Sequence, residues 1–104
     1  MFRREQLRPA DPVAVITRML ANVRAWAATA ERVPTRLWAI DLSLLLPRHD
    51  VALHHERATL LEGAGDYLGA AAAFERFAEA VATVRPDDAH GALVRSRQAR
   101  AHLN

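Results

Sequence analysis

Gly65-Asp66-Tyr67, followed by Ala70 and Phe74, reads as the joint of a helical hairpin. Gly65 suits the left-handed residue that closes a helix, because it has no Cβ to clash there. Behind it runs the cleanest apolar stripe of the sequence: Tyr67, Ala70, Ala71, Phe74, Phe77, Ala78, Val81 and Val84, spaced three and four apart. Small residues come first and large ones later. Neighbouring backbones can therefore approach closely at one end and be filled by rings at the other.

On either side of this joint the periodicity stays helical, and no segment alternates like a half-buried strand. Five helices are expected. The first runs from Pro12 to about Ala30, capped by Asp11, with Val13, Ile16, Leu20, Val23, Ala27 and Ala30 on one stripe that Met19 and Trp26 widen. The second starts at Pro34 and stops before Pro47. It carries one stripe of Leu37, Ile40 and Leu44 and another of Trp38, Leu42 and Leu45. The third is capped by Asp50 and runs to about Ala64. The fourth spans Tyr67 to about Val84. The fifth begins at Asp87 or Asp88, with Ala89, Leu93, Ala99 and Leu103 inward and Arg95, Arg97 and Arg100 outward.

Sliding the sequence on itself by about 34 residues sets Val33 on Tyr67, Leu37 on Ala71, Ile40 on Phe74, Leu44 on Ala78 and Ala27 on Leu61. Every pair is apolar. The period and the Gly-Asp-aromatic turn resemble a tetratricopeptide repeat, with Glu31-Arg32-Val33 standing where the second repeat has its turn. The expected fold is all-α: a tetratricopeptide-like α-α superhelix of about two helical hairpins plus a C-terminal capping helix. One domain is expected over residues 1–104, with residues 1–10 an irregular arm. A plain antiparallel bundle with coincident stripes is the alternative.

Composition narrows the chemistry. The chain has 104 residues, 51% of them hydrophobic, which is enough for one compact core. With no cysteine, a disulfide framework, a thiolate zinc site and a cysteine nucleophile are excluded. No apolar run approaches the roughly 20 residues that span a bilayer. The net charge is only +2 and acidic residues are interspersed with the arginines, so no nucleic-acid footprint is implied. No phosphate loop, serine elbow or paired catalytic carboxylates occur, so the chain reads as a non-enzyme without cofactor. His54-His55-Glu56 lacks metal spacing, since adjacent helical residues point about 100° apart. The expected location is the cytoplasm.

A more specific resemblance covers most of the chain from Leu7 onward. Leu7-Arg8-Pro9-Ala10, Arg18-Met19-Leu20-Ala21-Asn22-Val23-Arg24-Ala25, Glu56-Arg57-Ala58, Gly65-Asp66-Tyr67 and Phe74-Glu75-Arg76-Phe77 occur in order. Together they resemble the C-terminal repeat domain of bacterial transglutaminase-like proteins. The resemblance implies an accessory domain that binds protein, with the transglutaminase-like domain itself missing here. Glu31-Arg32 departs from the Gly-Asp turn usual in the first repeat, and Ala58 stands where glycine is common. No catalytic residue transfers.

Candidate binding residues follow from helix geometry. Arg18 and Asn22 are four apart and share a face, where they could hold a partner's carboxylate by charge-assisted hydrogen bonds. His55 and Thr59 lie on the equivalent helix of the next repeat and complete the expected groove. The bland alternative has Arg18 solvated or paired with Glu56. Trp38, Leu42 and Leu45 are either covered by the neighbouring repeat or form a patch that docks the missing domain or a second copy.

Overall fold

A computed structural model of the chain describes residues 11–103. The arm expected over residues 1–10 lies outside the described residues. The elements are α1 (Pro12–Trp26), a short 3-10 turn (Ala30–Arg32), α2 (Val33–Leu44), α3 (Ala52–Gly63), α4 (Tyr67–Val81) and α5 (Pro86–Ala101). Among the described residues there is no strand. The chain divides into two compact units, the first ending at Arg48 and the second starting at His49.

The first unit is the α1–α2 hairpin. Asp11 caps α1 as expected: its carboxylate accepts from the Val13 amide at 3.0 Å, and Pro12 takes the first helical position. The other oxygen of Asp11 meets Arg48 at 2.6 Å, tying the end of the unit to its beginning. Both partners are largely exposed, so this pair adds little stability. α1 ends at Trp26, four residues short of the expected Ala30. The stop is supplied from further along the chain. The Arg32 guanidinium donates to the Trp26 carbonyl at 3.0 Å and stacks on the indole at 3.8 Å, occupying an otherwise orphaned helix-end carbonyl. The shorter helix changes the stripe. Leu20 and Ala27 are buried, whereas Ile16, Met19, Trp26 and Ala30 are exposed. In α2, Ala39 and Ile40 are fully buried, and the buried Ser43 hydroxyl donates to the Ala39 carbonyl at 2.7 Å.

In the second unit α4 is the central element and packs on both α3 and α5. The joint between α3 and α4 contains no spare residue. Gly65 has φ +83°, its amide bonds the Glu62 carbonyl at 3.1 Å, and the Asp66 amide bonds the Leu61 carbonyl at 2.9 Å. This is a Schellman motif. Asp66 also caps α4, its carboxylate accepting from the Gly69 amide at 2.9 Å. A Cβ on Gly69 would stand 2.5 Å from that carboxylate, so glycine leaves room for the cap. Tyr67, the third residue of the turn, stacks on His102 at the far end of α5, with ring centroids 4.2 Å apart.

The core of this unit is Ala70, Ala71, Ala73, Phe74, Phe77, Ala78 and Val81 of α4, with Leu53, Ala58 and Leu61 of α3. Val84 falls beyond the end of α4 and is exposed, contrary to its expected place in the stripe. The cap position of α3 falls at Val51, one residue after the expected Asp50, whose carboxylate nevertheless accepts from the Ala52 amide at 2.9 Å. α5 departs further from expectation. It starts at Pro86, so Asp87 and Asp88 sit inside its first turn rather than at the cap. Acidic groups there favour the positive end of the helix dipole. Its buried face is Ala89, Ala92, Ser96 and Ala99, while Leu93 and Leu103 are exposed. Helix α4 presents alanines, and only small residues on α5 permit that close approach. Arg95 and Arg100 do not point away. Arg95 pairs with Glu62 of α3 at 2.6 Å, and one nitrogen of Arg100 reaches both oxygens of Glu75 at 2.8 and 2.9 Å.

The repeat register expected from the sequence is visible locally. Val33 and Tyr67, matched in that register, each open the second helix of a pair, and the matched positions Ile40 and Phe74 are both completely buried.

His54 lies near the start of α3, edge-on to His49 at 6.0 Å. Burial, then the positive potentials of His49, Arg76 and Arg57, push its pKa below the ordinary value of 6.5. The unfolded chain therefore takes up this proton at higher pH than the folded chain. Stability contributed by the neutral imidazole is present above the unfolded pKa and is lost as pH falls below it. His54→Gln is expected to narrow the drop in melting temperature between about pH 8 and about pH 5. Thermal melts at the two pH values check this, and an unchanged drop refutes it.

Candidate functional site

The second unit carries an open cavity of about 400 Å³. Three helices build it. α3 contributes His55, and α4 contributes Phe77. α5 contributes Asp87 and Asp88 from its first turn, then Gly91, Ala92 and Arg95 further along. The His55 ring stands edge-on to Phe74 at 5.5 Å and to Phe77 at 5.1 Å, which holds the imidazole against the aromatic core. Arg95 is held by Glu62 and lies 4.8 Å from the Phe74 ring centre. Asp88 has a long contact to Arg85 at 3.8 Å. The Asp87 carboxylate has no hydrogen bond or ion pair among the described residues. Gly91 sits inside α5, and a Cβ added there would meet nothing within 4 Å.

The chemistry of this arrangement is recognition rather than reaction. A ring-lined surface flanked by carboxylates and an imidazole can bury a small apolar group and hold a charged one. Among the described residues no group of three or more His, Asp or Glu side chains gathers to hold a metal ion.

The binding residues expected from sequence are distributed as follows. His55 lines the cavity. Thr59, one turn along α3, does not: it is exposed and its hydroxyl donates to the His55 carbonyl at 3.0 Å. Arg18 and Asn22 belong to the first unit. They share an exposed face of α1, and neither makes a side-chain hydrogen bond or ion pair among the described residues. Of the apolar patch, Trp38 is 56% exposed and Leu45 80%, while Leu42 is half-buried. Sequence reasoning missed the α5 contribution to the cavity. Its one available signal was Gly91, a helix-interior glycine with no turn or cap to serve.

Comparison with curated proteins and with solved structures finds no match. A tetratricopeptide repeat family model does match, over residues 23–99. This interval runs from within α1 to within α5 and includes the Gly65-Asp66 joint and the Ile40 and Phe74 positions. Helical hairpins at the expected register and a family match over well over half of the sequence agree: the chain belongs to the tetratricopeptide repeat family.

Proposed function

We propose that this chain is a protein-binding scaffold, and that it serves as the accessory repeat domain of a transglutaminase-like protein. Tetratricopeptide repeats in general mediate protein–protein interaction and are non-catalytic. The observation that carries the reading here is the family match together with an open, ring-lined groove on the second unit. No described helix is long and apolar enough to cross a membrane. A protein or peptide partner is the reading these features support, and the cytoplasm is the setting proposed for it.

The first unit supplies a second contact in this reading. Arg18 and Asn22 hold a carboxylate of the partner through charge-assisted hydrogen bonds. Crosslinking in the native organism, followed by identification of the captured chain, tests the assignment. The expected product is a transglutaminase-like polypeptide. Arg18→Ala with Asn22→Ala is expected to weaken that capture about tenfold, and undiminished capture removes these residues from the site.

Self-association is a second reading, supported by the exposure of Trp38 and Leu45 on one side of α2. A homodimer would cover them. Sedimentation at high concentration separates the two: a monomer eliminates the dimer, and a dimer dispersed by Trp38→Ser establishes it.

A further inference from the structure

We propose that the groove between α3 and α5 takes a peptide segment carrying an arginine or lysine beside an apolar side chain. The inference rests on the scaffold reading and names the chemistry of its partner.

Charge complementarity selects the occupant. Asp87 projects from the first turn of α5 onto the groove and is uncompensated among the described residues, while Asp88 has only a distant arginine. Among the described residues the one arginine on the groove wall, Arg95, is already engaged by Glu62 at 2.6 Å. An acidic partner would meet two carboxylates and a satisfied arginine. A basic side chain would meet a vacant carboxylate. The positive end of α5 offsets part of the acidic field. Discrimination therefore comes from a directed hydrogen bond to Asp87 rather than from long-range attraction.

The apolar half of the site is equally specific. Phe77 and Ala92 line the groove beside Gly91, over which there is open space where any other residue would project a side chain. Glycine inside a helix costs roughly 0.8–1 kcal/mol relative to alanine. Among the described residues no packing contact requires it here. An incoming apolar side chain uses that space, and the half-buried His55 imidazole bounds it from α3.

The test uses the full chain to select from a displayed library of random peptides. Enriched peptides are expected to carry Arg or Lys adjacent to Leu, Ile, Val or Phe. Their binding should weaken as salt rises. Asp87→Asn should reduce affinity about tenfold, and Asp87→Glu should restore most of it. Gly91→Gln should abolish binding while leaving the melting temperature unchanged or higher, because glutamine is the better helix former. That separates a blocked groove from an unfolded one. Enrichment of acidic peptides, or binding indifferent to Gly91→Gln, overturns the inference. Acidic peptides lost on Arg18→Ala would overturn it while upholding the scaffold reading. A library yielding no binder also overturns it, and the crosslinking experiment then judges the scaffold reading by itself.

Discussion

Phe74→Ala is expected to remove about 3–5 kcal/mol of stability. The ring is completely buried at the middle of α4. It contacts elements on both sides: the His55 ring of α3 packs edge-on to it at 5.5 Å, and the Arg95 guanidinium of α5 lies 4.8 Å from its centre. Truncation therefore loses the transfer free energy of a ring and leaves a hole. The surrounding helices are held by Tyr67–His102 stacking and by two interhelix ion pairs, which restrict collapse into that hole. A domain's whole stability is about 5–15 kcal/mol, so the variant should be largely unfolded at modest denaturant. Denaturant titration monitored by circular dichroism checks this through the shift in midpoint. Phe74→Leu, which keeps much of the volume, should cost considerably less. A loss below about 1 kcal/mol for the alanine variant would mean the site collapses freely and is no core position.

Gly65→Val is the second large effect, and its origin is different. A Cβ at this position would meet nothing within 4 Å, so no contact is broken or crowded. The whole cost is conformational. At φ +83° a β-branched residue is held where its own side chain clashes with its backbone, which costs roughly 1–2 kcal/mol or more. Escaping that strain means giving up the bonds from Gly65 to Glu62 and from Asp66 to Leu61, which close α3. Gly65→Asn should lose much less, because asparagine tolerates the left-handed region. Equal losses for the two variants would place the cost in something other than backbone conformation.

The contrast between these positions shows which parts of the architecture were legible. Gly65, Asp66 and Tyr67 are read from residue type alone, since the left-handed closure and the side-chain cap are local requirements. Ile40 and Phe74 are read from spacing, and both are fully buried. The end of α1 was not legible. Nothing in Ala27-Ala28-Thr29 breaks a helix, and the stop comes from Arg32 folding back onto Trp26. The inward face of α5 was half misread for a related reason: Ala89 and Ala99 are buried as expected, whereas Leu93 and Leu103 are exposed. Hydropathy favours Leu93 and Leu103, but the alanines of α4 set a separation that only Ala89, Ala92, Ser96 and Ala99 can meet. The cavity suffered most from that error. His55 was identified from its place on α3, yet its neighbours Asp87, Gly91 and Arg95 lie on a helix that sequence treats as a polar cap.

In α4 both packing partners are the helices immediately before and after it in the chain. The loops closed in bringing α3 and α5 onto α4 are therefore short, and the entropy of closing them is small. Topologies dominated by such near-sequence contacts fold in microseconds to milliseconds. During synthesis the α3–α4 pair can zip together as soon as both have left the ribosome, with the alanine-lined flank of α4 waiting for α5. The exposure of that flank lasts only for the time needed to translate a further helix.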